Sequence, residues 1–317
     1  MKVVMAALLN DEYMSDLQTT FPEVTFVPAP SAEDQKRHIQ DADIFFGAIT
    51  REVFAEERRL RWVQWPGTGI DKLMDIPSLI DSDVVLTNCR GPHANPMADH
   101  VFSIVLTFAH RTRDLWEDQR AHRWDMAKYD RRMVELSGRT MGILALGDIG
   151  TAVARRAHGF GMEVYGVDKQ PMSPPPGVKE VWGPERLEDL LGISDWFVVT
   201  VPFTKETEGI LDRRRIGLLK QGAHLIVMSR GGIVDETALM DALRSGRLAG
   251  AGLDVMDQEP LPADSPLWDM ENVILSPHSS AMTEEMYEGR RQIFKENLRR
   301  FLANEPFLYV CDKRAGY

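Results

Sequence analysis

The feature that most constrains this chain is an alternation: short, continuous apolar runs recur, each followed by a longer amphipathic stretch. Val3-Val4-Met5-Ala6, Ile44-Phe45-Phe46-Gly47 and Trp62-Val63-Gln64-Trp65 read as strands in the first hundred residues. A second series runs through 141–146, 164–167, 196–200, 225–228, 251–255 and 273–275. Unbroken apolar strands spaced by helical segments imply βαβ units, because a parallel sheet is covered by helices on both faces. Two such series predict two α/β domains. From Ala98 to about Arg111 the chain is apolar on most faces, which predicts a helix buried between domains or at a subunit interface. Residues 111–135 are polar and charged, with Trp116, Trp124 and Tyr129 interspersed, and Glu284 to Asn304 reads as a closing helix.

At 317 residues the chain has room for about two domains of ordinary size. It carries 37 Lys and Arg against 48 Asp and Glu, a net charge of −11. That balance excludes a general polyanion binder, since nucleic-acid affinity rests on cations that neutralise phosphates. The one dense basic run, Arg213-Arg214-Arg215, reads as a solvated helix start. Cys89 and Cys311 have neither CxxC spacing nor a histidine cluster, so no metal site and no disulfide framework is expected. The opening MKVVMAALLNDEY is too short in its apolar run for a signal peptide, and no stretch nears the ~20 apolar residues of a membrane span. A cytoplasmic protein with no membrane and no nucleic-acid partner is expected.

The strand at 141–146 runs into Ala145-Leu146-Gly147-Asp148-Ile149-Gly150 and then a helix. This is the G-x-G-x-x-G dinucleotide fingerprint with alanine in first place. Gly147 lets the backbone approach a diphosphate, and Gly150 lets the helix pack close to the strand. The helix start offers N–H groups to the anion. Alanine fits the first position only if its φ stays negative. Asp168, 18 residues past Gly150 at the end of the next strand, is placed to bind the adenosine ribose. A carboxylate there repels a 2′-phosphate, which favours NAD; Lys169 beside it keeps NADP open.

Three titratable residues follow strands of the second series: Arg230, Glu259 and His278. Strand carboxyl ends face the ligand crevice of an open parallel sheet. Their types suit one reaction. The planar fork of Arg230 holds a carboxylate and polarises a neighbouring carbonyl. His278 supplies the proton when hydride reaches that carbonyl carbon. Glu259, bonded to the far ring nitrogen, orients His278 and fixes its tautomer.

These blocks, in this order, resemble the D-isomer-specific 2-hydroxyacid dehydrogenase family. The resemblance covers nearly the whole chain. It is carried by Gly138-Arg139-Thr140-Met141-Gly142-Ile143 leading into Leu146-Gly147-Asp148-Ile149-Gly150, by Ser229-Arg230-Gly231-Gly232-Ile233-Val234-Asp235-Glu236, by Ala251-Gly252-Leu253-Asp254-Val255 with Glu259-Pro260-Leu261-Pro262, and by Ser276-Pro277-His278. It implies two Rossmann-like, doubly wound parallel-sheet α/β domains: a substrate domain of residues 1–97 and 288–317, interrupted by an NAD-binding domain of residues 98–287. It implies further cofactor contacts at Val201, Pro202 and Thr207, at Met228 and Ser229, and at Asp254 for the nicotinamide carboxamide. Backbone N–H groups of Thr68 and Gly69 would hold the substrate carboxylate. Trp65, Trp124 and Tyr129 are candidates for pocket lining, core or interface. The resemblance also implies a homodimer with the helix near Ala98 at its interface.

The expected reaction is NAD-dependent reduction of a small 2-keto acid, glyoxylate- or hydroxypyruvate-like, to the D-2-hydroxy acid, and its reverse. Formate and phosphite oxidation share this fold. The first usually has Gln where Glu259 stands, and the second a Lys in the Thr68–Gly69 loop, where none is present. The competing reading is an NAD(H)-sensing, corepressor-like binding protein. It calls for long disordered flanks, whereas the chain is read as starting and stopping with its domains.

Overall fold

The computed structural model describes residues 1–7, 9–170 and 172–316. Leu8 of the apolar opening run, Pro171, and Tyr317 at the end of the expected 288–317 segment lie outside the described residues. The chain forms two compact units, Met1–His93 with Met282–Tyr317, and Ala94–Ala281. The second therefore interrupts the first in sequence. Both are built on parallel sheets flanked by helices, the α/β class expected.

In the first unit, β1 (Lys2–Met5), α1 (Asp11–Thr20), β2 (Thr25–Pro28), α2 (Ala32–Ile39), β3 (Ile44–Phe46), α3 (Arg51–Phe54), β4 (Trp62–Gln64), α4 (Pro77–Ile80) and β5 (Val85–Thr87) succeed one another. The five strands lie in the order β2-β1-β3-β4-β5, all parallel. Every residue of β3 and β4 is buried, which is why β3 reads as an unbroken apolar run and β4 as one interrupted only by Gln64. The last helix, α11 (Glu284–Leu302), returns to this sheet: Phe294 stacks on Phe46 at 4.3 Å and on Trp62 at 5.6 Å.

The second unit contains α5 (Ala94–Ala109), α6 (Thr112–Arg120), β6 (Thr140–Leu144), α7 (Asp148–Gly159), β7 (Glu163–Val167), β8 (Glu180–Trp182), α8 (Leu187–Ile193), β9 (Trp196–Val199), α9 (Arg213–Leu218), β10 (Ala223–Val227), α10 (Glu236–Arg244), β11 (Leu248–Leu253) and β12 (Val273–Leu275). Its seven parallel strands run β12-β11-β10-β9-β6-β7-β8. Counted from β6, this is the dinucleotide-binding order 3-2-1-4-5-6 with a seventh strand added, and the order reverses between β6 and β9. The apolar faces of α5 are taken up inside this unit, where it packs on α7 and over β11. The basic run at 213–215 does open a helix, α9, and pairs with Asp241 and Glu188.

Candidate active site

The crevice residues leave from neighbouring strand ends. The dinucleotide loop follows β6, Asp168 follows β7, Pro202 to Thr207 follow β9, and Arg230, Glu259 and His278 follow β10, β11 and β12 in turn. The sheet order therefore sets the last three side by side at one end.

The dinucleotide loop is tightly built. Gly150 has no room for a side chain: a Cβ there would lie 2.1 Å from the carbonyl oxygen of Ala145. At Gly147 a Cβ would meet nothing within 4 Å, so the backbone faces open space where a diphosphate can approach. Helices α9, α10 and α11 are capped by the side chains of Asp212, Asp235 and Thr283. Helix α7 begins at Gly147 with no side-chain cap, which leaves its first N–H groups for an anion. Asp148 and Ile149 form its first turn.

Ala145 has φ +76°, not the negative value expected. Backbone bonds hold it in this left-handed state: its N–H donates to Val167 O (2.8 Å), and its carbonyl accepts from Thr200 Oγ (2.8 Å). The turn needs positive φ, and its surroundings impose that on an alanine.

Asp168 is fixed by two backbone amides, Leu146 N–H to Oδ2 and Gln170 N–H to Oδ1, each at 2.8 Å. Lys169 extends its ammonium to Glu206 Oε2 at 2.6 Å. After β9, Val201 is half-buried and Pro202 exposed. Thr207 folds that turn, donating its hydroxyl to Pro202 O (2.7 Å) and accepting from Thr204 N–H (2.8 Å).

At the other end, Glu259 Oε2 and His278 Nδ1 are 2.8 Å apart, and Glu259 Oε1 accepts from Met256 N–H at 3.2 Å. A carboxylate only accepts, so Nδ1 carries the proton and Nε2 is the nitrogen left for a ligand. His278 has φ +52°, an uncommon state for a side chain of this size. The loop around it is pinned by Asp254, which is fully buried. Its carboxylate accepts from Ser276 Oγ (2.6 Å), Ser279 N–H (2.9 Å) and Ser280 N–H (3.2 Å), two residues before His278 and the two after it. Ser276 in turn accepts from His100 Nε2 at 2.9 Å.

Arg230 donates to Ser229 O at 2.8 Å. Its loop closes on the Glu259 loop through Gly231, where a Cβ would lie 2.0 Å from Met256 O. Met228 is buried, and the buried hydroxyl of Ser229 has no hydrogen-bond partner among the described residues. An unsatisfied buried hydroxyl here, with the open face at Gly147, fits a bound dinucleotide.

In the first unit, the Thr68 carbonyl accepts from Asn88 Nδ2 at 2.7 Å, and Thr68 Oγ is buried without a hydrogen-bond partner among the described residues. Gly69 follows it in the same loop. Of the three aromatic candidates, Trp65 belongs to the core and Trp124 is 94% exposed. Tyr129 donates to Asp118, which also pairs with Arg123 and Lys128. Those bonds pull the Asp118 carboxyl far below its usual range.

His100, Thr200 and Glu206 escaped the sequence reading. Their partners are 176, 55 and 37 residues away in the chain, and no local pattern marks them.

The strand order, the uncapped helix and the glycine loop together define a dinucleotide-binding unit. Residues 102–280 match the family described as D-isomer specific 2-hydroxyacid dehydrogenase, NAD binding domain. A glyoxylate reductase of Korarchaeum cryptofilum is 34% identical over 87% of this chain and 84% of its own length. A crystal structure of a D-isomer specific 2-hydroxyacid dehydrogenase from Xanthobacter autotrophicus Py2, in complex with NADPH and MES, superposes with TM-score 0.86 at 32% identity, covering 100% of this chain and 99% of that one. A D-isomer specific 2-hydroxyacid dehydrogenase family protein from Aeromonas salmonicida gives 0.87 at 31% identity, covering 98% and 99%. The chain belongs to the D-isomer specific 2-hydroxyacid dehydrogenase family. It is an NAD(P)-binding oxidoreductase that acts on CH–OH donors. Among the described residues, no helix is long and apolar enough to cross a membrane.

Proposed function

We propose that this protein interconverts a small 2-keto acid, of the glyoxylate or hydroxypyruvate kind, and the D-2-hydroxy acid. The observation that carries this reading is the Glu259–His278 pair beside the Arg230 loop, at the ends of three adjacent strands. A bound nicotinamide supplies or takes up the hydride at the carbonyl carbon. Arg230 holds the substrate carboxylate and polarises the carbonyl. His278 gives its proton from Nε2 to the oxygen in reduction and takes it back in oxidation. Glu259 keeps Nδ1 protonated and the ring aligned. Asp254 holds the loop that presents the ring and is assigned to the carboxamide. Gly147, Asp148, Ile149, Gly150 and Asp168 serve the adenosine half of the cofactor; Val201, Pro202, Thr207, Met228 and Ser229 serve the remainder. The Thr68 and Gly69 N–H groups are assigned to a carboxylate.

The test follows NADH and NADPH absorbance with a panel of 2-keto acids from glyoxylate to phenylpyruvate. One acid should be turned over. His278→Ala and Arg230→Ala should each lower kcat/KM by at least about 10²-fold. If both variants fold and keep full activity, the assignment is wrong. Tight NADH binding without turnover of any acid would favour the sensing protein. We further infer a homodimer, supported by exposed Trp116, Trp124 and Met126, and light scattering at micromolar concentration should give twice the chain mass.

A further inference from the structure

The Lys169–Glu206 ion pair spans the dinucleotide loop. Lys169 leaves the end of β7 and Glu206 the loop after β9, and β6, whose end carries the dinucleotide loop, lies between those two strands. Two strand spacings are roughly 10 Å, so only two long side chains reaching toward each other can bridge the gap. The bridge is anchored on both sides. Asp168, next to Lys169, is fixed by its two backbone amides. The turn bearing Glu206 is fixed by Thr204, whose hydroxyl accepts from Glu206 N–H at 3.3 Å, and by Thr207. Both ends of the pair are exposed, at 58% and 68% of the side chain, so a ligand can reach them.

We propose that Glu206 sets the choice between NADH and NADPH, by competing with the 2′-phosphate for Lys169. This rests on the reading of Asp168 as the ribose-binding acid. With NADH, Lys169 stays on Glu206 and Asp168 takes the ribose hydroxyls. With NADPH, the 2′-phosphate meets the Asp168 carboxylate and needs a cation, and Lys169, the next residue in the chain, is engaged by Glu206. The site therefore accepts NADPH only by trading one ion pair for another, which lowers its affinity without excluding it. No bond is made or broken in this exchange other than hydrogen bonds and ion pairs.

The test measures Kd for NADH and for NADPH by nucleotide fluorescence, in the parent protein, Glu206→Gln, and Glu206→Gln combined with Lys169→Met. An exposed pair of this kind is worth about a fivefold change in binding. Glu206→Gln should therefore tighten NADPH relative to NADH by about fivefold, and the added Lys169→Met should abolish that gain. A ratio of the two Kd values that stays within twofold of the parent overturns the proposal. So does a gain that survives loss of Lys169. If the parent binds neither nucleotide, the reading of the dinucleotide loop itself fails and takes this inference with it.

Discussion

Replacing Ala145 by glycine should stabilise the protein. The residue sits at φ +76°, where an L side chain costs about 1–2 kcal/mol relative to a right-handed or extended one. Glycine removes that cost but adds freedom to the unfolded chain, which takes back about 0.4–1 kcal/mol. The bonds that impose the conformation come from Thr200 and Val167 and involve only backbone atoms of residue 145, so they survive. The methyl is half-buried, so little burial is lost. The net is a gain of about 0.5–1 kcal/mol. Equilibrium urea unfolding should show a higher midpoint at unchanged m, and thermal unfolding a Tm raised by about 2 °C for a domain of this size. Ala145→Val serves as the opposite control, because branching at Cβ makes the left-handed state worse. Its midpoint should fall. If the glycine variant is less stable than the parent, or the valine variant equals it, the backbone at 145 is not left-handed and the account of this loop is wrong.

Three further outcomes are expected. Gly150→Ala puts a methyl against the Ala145 carbonyl oxygen, so fluorescence titration should show NADH binding weakened by at least tenfold, a cost in the range of about 1–3 kcal/mol. Asp254→Ala leaves the Ser276 hydroxyl and the Ser279 and Ser280 N–H groups without their acceptor, and chemical denaturation should register a loss of about 3 kcal/mol even without cofactor. His224 lies flat on Trp196 at 4.1 Å, and burial brings its pKa down to about 4. The unfolded chain takes up this proton near pH 6.5 and the folded one near 4, so the stabilisation is complete above pH 6.5 and is lost as pH falls through 4. The total is about 3 kcal/mol, and the stability difference between parent and His224→Phe should narrow by that amount between pH 7.5 and pH 4.

The central strands were legible because burial on both faces writes them as almost wholly apolar runs: Ile44 to Phe46, Trp62 to Gln64 and Trp196 to Val199 are buried at every position, and the one polar residue among them, Gln64, has its amide hydrogen-bonded. The strands that escaped notice are β2, β5 and β8. Edge strands β2 and β8 are partly exposed, and β2 ends in Pro28. The third, β5, is also an edge strand, and its first residue Val85 is partly exposed. The same division holds in the site. Arg230, Glu259 and His278 could be picked out because each follows a strong strand in a sheet whose carboxyl ends share one crevice. The groups that hold them could not. His100 reaches Ser276 from α5, and Thr200 fixes Ala145 across a strand boundary; both depend on tertiary proximity. At Ala145 the tertiary surroundings override local preference. Intrinsic propensity disfavours positive φ in alanine, but two backbone-anchored hydrogen bonds outweigh a penalty of about 1–2 kcal/mol.

The reversal of strand order between β6 and β9 has a consequence for how such a chain can diverge. Groups assigned to the adenosine half leave from β6 and β7, and groups assigned to acid–base work leave from β10, β11 and β12. Their shared support is the sheet and α5, which packs on α7 and over β11. On the exchange proposed for Lys169 and Glu206, a lineage can retune its nucleotide preference through two surface residues while the loops after β10, β11 and β12 stay untouched. A laboratory can treat the two ends as separately adjustable parts, combining substitutions at Glu206 with changes near Arg230 and expecting their free energies to add.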